Sequence, residues 1–145
     1  MIRKHLLDLN VLIALTESEH DHYRKAQEWF IASGKDSWGI CPLTEAGFIR
    51  VTTNPAFRPG PRALELATAI LQRLKDRPGF WYRKIDESWI SVTAPFAKRI
   101  IGHQQITDAY LLGLAIKDDG ILVTFDRGLK YMAGAEYARN LLVLE

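Results

Sequence analysis

The sequence predicts a three-layer α/β/α sandwich built on a mostly parallel central sheet. Short apolar runs, "HLLDL", "SWGIC", "FWYRKI", "ILVTF" and "LLVL", alternate with stretches of helical periodicity, the pattern of a sheet covered by helices on both faces. The last two runs lack polar alternation, as strands buried on both sides do. In addition, "ITDAYLLGLAIKDDG" is apolar nearly all round, which marks a central, buried helix.

The elements follow in order. "HLLDL" reads as a strand, and "VLIAL" after Asn10 continues as helix. From His20 to Ala32, Tyr23, Ala26, Trp29 and Phe30 recur at helical spacing opposite Arg24, Lys25 and Glu28, predicting an amphipathic helix that ends near Gly34. After "SWGIC", Pro42 suits the first turn of a helix, "PLTEAGFIRVTT", which stops before Pro55. "NPAFRPGP" is a loop, and Pro61 is placed to open the helix "PRALELATAILQRLKD", with Leu64, Ala67, Leu71 and Leu74 as its stripe. "FWYRKI" is the third strand, and a less regular stretch runs from Asp86 to Gln105 before the buried helix. Trp29 and Trp38 read as core, while Trp81 and Trp89 suit packing better than base stacking.

With 145 residues, 48% of them hydrophobic, the chain suffices for one core, so a single domain over residues 1–145 is expected. No apolar stretch approaches the roughly 20 residues that span a bilayer, because Asp8, Thr16, Asp108 and Lys117 interrupt them. Arg3-Lys4-His5 is followed by a run that holds a carboxylate and no cleavage site, unlike a signal peptide. A cytoplasmic protein without membrane attachment is expected. One cysteine, Cys41, excludes an internal disulfide and a multi-cysteine metal site. It reads as a small buried strand residue.

The placement of the acids carries the functional signal. Asp8 ends an apolar strand, where an unpartnered carboxylate is costly. Asp126 follows "ILVTF" in the same way, Glu45 falls in the first turn after the second strand, and Asp108 in the first turn of the buried helix, with Thr107 as its expected N-cap. In a parallel sheet all four belong to the rim beyond the carboxyl ends of the strands. The helix dipole alone accommodates Glu45 or Asp108, and a turn accommodates Asp126, but the combination points further. Two carboxylates about 4 Å apart repel by roughly 4 kcal/mol at an effective dielectric near 20, a conflict that a divalent cation removes. All-oxygen ligands select Mg²⁺ or Mn²⁺ over zinc, and such a site activates water against a phosphodiester. Asn10, Thr107 and Thr124 are neutral groups suited to support the acids from behind. If four of the 17 acids gather there, 13 remain against 19 basic residues, a mildly basic surface that suits a polyanion.

"LLDLNVLIAL", "CPLTEAGFIRV", "TDAYLLGLA" and "TFDRG", in this order and spacing, resemble PIN-domain ribonucleases, specifically the VapC-type toxins of bacterial toxin–antitoxin pairs. The resemblance runs from about Leu6 to Tyr131. It implies a PIN-like fold and a Mg²⁺- or Mn²⁺-dependent endoribonuclease with Asp8, Glu45, Asp108 and Asp126 as its catalytic acids, Asp8, Asp108 and Asp126 falling on the family's aspartate positions as metal ligands and Glu45 being a further candidate ligand. Glu45 matches the "TE" position and Asn10 the polar position after the first aspartate. It further implies RNA as substrate, 5′-phosphate and 3′-hydroxyl product ends, a homodimer, and a VapB-type antitoxin that blocks the groove. A PIN nuclease of RNA maturation and a non-catalytic binding module are the alternatives. A phospho-accepting receiver domain lacks its acidic pair and terminal lysine here.

Among other features, Arg50, Arg58, Arg62, Arg83, Lys84, Lys98, Arg99 and Arg127 are candidates for phosphate contacts or ordinary surface. "EHDHY" imitates a metal site, but His20 and His22 are two residues apart and point away from one another on a helix. Asp21 or His20 reads instead as near the N-cap, and His103 as a loop residue.

Overall fold

The strands are three or four residues long and predominantly apolar, and β1 and β2 are each followed within two residues by a helix. A computed structural model, describing residues 3–145, places β1 (His5–Leu7), β2 (Trp38–Ile40), β3 (Phe80–Tyr82), β4 (Ile121–Thr124) and β5 (Leu141–Val143) in one sheet, ordered β3-β2-β1-β4-β5. Every neighbouring pair is parallel. The chain therefore winds outward from β1 in one direction, returns, and winds outward again from β4. The two central strands, β1 and β4, pair in register from His5 with Ile121 to Leu7 with Val123. Their carboxyl ends flank the point at which strand order reverses, where parallel sheets form their crevice.

Period-two alternation divides the core between the two faces. Leu7, Trp38, Ile40 and Val123 face one cluster, with α1 (Leu9–Thr16), α2 (Tyr23–Ala32), α3 (Pro42–Thr53) and α4 (Leu64–Lys75). Leu6 and Leu122 face the other, with α5 (Trp89–Thr93), α6 (Ile106–Lys117) and α7 (Leu129–Ala133). Cys41, just after β2, is buried in this second cluster. Besides α5, the 3₁₀ segments Ala94–Arg99, kinked at Phe96, and His103–Gln105 occupy the stretch that reads as irregular in the sequence.

Three helix boundaries and one additional helix differ from the sequence expectation. First, α2 begins at Tyr23 rather than His20, and neither His20 nor Asp21 caps it; His22 occupies the cap without a side-chain bond. Second, α4 begins at Leu64, not Pro61, because Arg62 is held as a strap. Its N–H donates to the Thr52 carbonyl and its guanidinium to the Thr16 carbonyl, so the chain reaches helical geometry only beyond it. Leu64 is consequently 62% exposed and drops out of the stripe that Ala67, Leu71 and Leu74 keep. Third, α6 begins at Ile106, which puts Thr107 inside the first turn and exposed rather than at the N-cap. Fourth, α7 is a short helix without a distinct signal in the sequence.

Trp38 is fully buried and Trp29 packs at the margin of the same cluster. Trp81 and Trp89 pack against the other cluster, and the Trp89 indole N–H donates to the Ile106 carbonyl at 2.9 Å. Both are thereby occupied as packing residues. Among the described residues no helix is long and apolar enough to cross a membrane.

The helix that carries Asp108 is seated through a glycine. A Cβ at Gly113 would lie 2.6 Å from the Val92 carbonyl oxygen, a backbone atom that cannot swing aside. Gly113→Ala is expected to cost about 1–3 kcal/mol through overpacking, visible as a lower urea midpoint with unchanged m-value.

Candidate active site

Asp8 leaves β1 as the N-cap of α1. Its Oδ1 accepts the Leu9 N–H at 2.7 Å, its Oδ2 accepts the Thr124 hydroxyl at 2.7 Å, and the residue is 8% exposed. Thr124, the last residue of β4, also accepts the Asp126 N–H at 3.0 Å through the same oxygen. One hydroxyl thus ties the first acid to the turn that carries the third. The Asp126 Oδ1 in turn accepts the Gly128 N–H at 2.8 Å. An aspartate two residues before a glycine closes such a turn with its own side chain.

Asp108, in the first turn of α6, is half-buried. Among the described residues its carboxylate has no hydrogen-bond or ion-pair partner. Burial, followed by the charges of Asp8 and Asp126, pushes its carboxyl up to about 7. Asp8 is also raised, by burial first and by Asp126 last, against the opposing bonds from Thr124 and Leu9. The three aspartates therefore feel one another's charge across the β1/β4 crevice, and among the described residues no cationic side chain pairs with them.

Glu45 differs from the expectation of a four-acid group. It lies in the first turn of α3, but its carboxylate accepts from Lys75 Nζ at 2.7 Å and from the Tyr82 hydroxyl at 3.0 Å. The Lys75 bond holds the Glu45 carboxyl below its usual range, while burial and the Glu45 contact push the Tyr82 phenol up to about 12. The structure thus brings three acids to the crevice and pairs the fourth with a lysine of α4. Even the three are not drawn into a single coordination sphere: among the described residues no group of three His, Cys, Asp or Glu side chains is placed to hold an ion together.

Of the other residues singled out by sequence, Thr124 holds Asp8 directly. Asn10 is exposed one residue into α1, and Thr107 is exposed near Asp108; neither side chain makes a hydrogen bond within the described residues. Several basic candidates are engaged elsewhere. Arg83 binds Glu87 and Asp118, Arg99 binds the Met132 and Ala133 carbonyls, and Arg62 the Thr16 carbonyl. Lys75 and Tyr82 carried no sequence signal as partners of Glu45, because the pairing joins α3, α4 and β3 across the fold. Phe125, stacked with His22 beside the crevice, is the other residue that sequence reasoning passed over.

The raised Asp108 carboxyl sets a pH dependence. In the metal-free protein the folded state holds a proton up to about pH 7 that the unfolded chain releases near pH 4. Stability therefore falls as pH rises through that window. Asp108→Asn removes that residue's share of the decline and leaves the part due to Asp8. In EDTA the variant is expected to gain about 1–2 kcal/mol on the wild type between pH 5 and pH 8, after allowance for the site's partial exposure, as checked by thermal unfolding at both pH values.

A family profile of the PIN domain matches residues 5–135. Among curated relatives, the Mycobacterium tuberculosis protein Ribonuclease VapC38 is 41% identical over 128 residues, covering 88% of this chain and 89% of its own. Ribonuclease VapC39 of the same species is 35% identical over 130 residues, covering 90% of this chain and 94% of its own. Among solved structures, a chain of the DNA-bound VapBC from Salmonella typhimurium superposes with a TM-score of 0.66 at 16% identity, covering 99% of both chains. A chain of VapBC2 from Rickettsia felis, solved with a promoter DNA fragment, gives 0.64 at 15% identity over 97% of this chain and 98% of that one. At such identities the superpositions establish the fold, while the profile and the curated relatives establish descent: the chain belongs to the PIN-domain family, within its VapC group.

Proposed function

We propose that this protein is a divalent-metal-dependent endoribonuclease that acts as the toxin of a VapBC-type pair, with Mg²⁺ or Mn²⁺ held by Asp8, Asp108 and Asp126. The observation that carries the reading is Asp108: a half-buried carboxylate with no partner in the described chain, facing two further carboxylates. The donor set fits a hard ion, being all oxygen, without the sulfur or imidazole that selects softer metals. When bound, a divalent ion lowers the pKa of water and offsets charge on phosphodiester oxygens.

The chain's own groups prepare the site. Thr124 and the Leu9 N–H fix both oxygens of Asp8, and Gly128 fixes one oxygen of Asp126, which leaves Asp108 as the adjustable member. Glu45 belongs to the catalytic set once released from Lys75, a surface pair whose contribution to stability is small. Asn10 and Thr107, exposed at the two helix starts, support the site from its margins. The relatives named as ribonucleases support RNA as substrate, and the neighbours titled VapBC support a VapB-type antitoxin as partner. Exposed Ile90, Ile101 and Ile106 offer apolar surface for a homodimer, and the cytoplasm is the compartment that holds both RNA and partner.

Incubation of a cellular RNA pool with purified protein tests the reading. Discrete fragments are expected with Mg²⁺ or Mn²⁺ and none with EDTA. Failure to bind Mn²⁺ in calorimetry, together with intact RNA, overturns it.

A further inference from the structure

We propose that the cleft between the α1–α2 loop and Phe125 is a nucleobase subsite for single-stranded RNA, selecting bases that carry an exocyclic amino group; the proposal rests on the nuclease reading above. The cleft measures about 460 Å³ and is lined by Asn10, His20, His22, Arg58 and Phe125, with Glu19 and Asp21 completing it. It adjoins the aspartates at two points. Asn10 follows Asp8 by two residues, and Phe125 stands between Thr124 and Asp126.

Its surface is a platform of rings. His22 stacks on Phe125 with centroids 4.5 Å apart and planes 27° apart, and His20 lies 5.8 Å from His22 and 6.5 Å from Phe125. The His22 N–H donates to His20 Nδ1 at 3.0 Å, which places the ring proton on Nε2 and fixes the ring's orientation. Burial, followed by the nearby His22, lowers the His20 pKa. His22 is exposed, which puts an aromatic residue of the stack in contact with solvent. Every base has a π-face that such a platform accepts.

The polar groups of the cleft add discrimination. Among the described residues the side chains of Glu19 and Asp21 have no hydrogen-bond or ion-pair partner, and Arg58 has no acidic one. Carboxylates accept from an exocyclic amine, which cytosine and adenine carry and uracil lacks, while Arg58, whose Nη1 donates at 3.5 Å to the Pro55 and Phe57 carbonyls, keeps further N–H groups for a phosphate. The larger cavity, of about 520 Å³ around Trp81 and Arg83, offers less: Arg83 is already committed to Glu87 and Asp118, and Lys4 covers the Trp81 ring.

Fluorescence anisotropy with labelled oligo-C, oligo-A and oligo-U RNA decamers tests the subsite, using the full chain in EDTA so that nothing is cleaved. Oligo-C and oligo-A are expected to bind more tightly than oligo-U. A His20→Ala/His22→Ala double variant should lose about fivefold or more in affinity for oligo-C, the smaller effect of removing one stacking contact. Glu19→Gln/Asp21→Asn should erase the preference over oligo-U without weakening oligo-U itself. Arg58→Ala should reduce the salt slope by about one. Unchanged Mn²⁺ calorimetry in each variant verifies that the aspartate rim is intact. Equal oligo-C affinity of the histidine variant and wild type overturns the subsite and leaves the cleft to a peptide or to no ligand. So does a wild type that binds none of the decamers. If that occurs while Mn²⁺-loaded wild type cleaves cellular RNA, the subsite alone fails. If the histidines govern RNA affinity but loaded wild type cleaves nothing, the nuclease reading alone fails.

Discussion

Asp8→Asn is expected to reduce RNA cleavage at least 10³-fold and to abolish Mn²⁺ binding, while the metal-free protein keeps its fold. Asparagine retains an oxygen to accept the Leu9 N–H, which Asp8 caps at 2.7 Å, and it is as good an N-cap as aspartate. Its amide NH₂ can donate to the Thr124 hydroxyl oxygen, reversing the bond that Asp8 accepts. What it loses is charge, at a position 8% exposed where burial and Asp126 already oppose ionisation. The metal-free melting temperature should therefore stay level or rise slightly. Saturating Mn²⁺ should stabilise the wild type by about 2.7 kcal/mol at a hundredfold excess over Kd and leave the variant unmoved. A variant that unfolds would instead assign Asp8 to the cap alone, and one that still cleaves would remove it from the chemistry.

Arg62→Ala is expected to destabilise the protein by about 2–4 kcal/mol, the range for stripping one partner from a buried, hydrogen-bonded charge. Its guanidinium is 8% exposed, donates to the Thr16 carbonyl at 3.2 Å, pairs with Glu17 at 3.4 Å and lies over the Phe48 and Phe57 rings. Removal leaves Glu17 without its cation and frees the strap that sets the start of α4. Lysine should recover only part of the loss, since it cannot stack as a plane while donating to Thr16. A fall in melting temperature of about 4–12 °C follows from that range for a chain of this size. RNA affinity per folded molecule should not change, which separates Arg62 from Arg58. A melting temperature within 2 °C of wild type would return Arg62 to ordinary surface.

Arg62 also illustrates how the sequence was limited. In the sequence it stands among eight basic residues with nothing to distinguish it, because its partners Thr16 and Thr52 are remote along the chain. Glu45 shows the same limit at the site. Its place in the first turn after a strand is legible locally, but its charge is settled by Lys75 and Tyr82, thirty and thirty-seven residues away. Conversely, Asp8 and Thr124 were identifiable because each ends an apolar strand, and the register of β1 on β4 brings them within 2.7 Å.

The sequence by itself determined the parallel α/β/α architecture, the elements that carry the aspartates and the family, since apolar periodicity, proline and glycine punctuation and short motifs are local properties of the chain. Only the tertiary structure decided that Glu45 pairs with Lys75 and Tyr82 while Asp8 and Asp126 act on Asp108, that Arg62 is a strap, and that the histidines of the α1–α2 loop stack on Phe125. The physical reason is that side-chain charge and stacking depend on through-space neighbours over a few ångströms, and those neighbours are chosen by the packing of helices on the sheet.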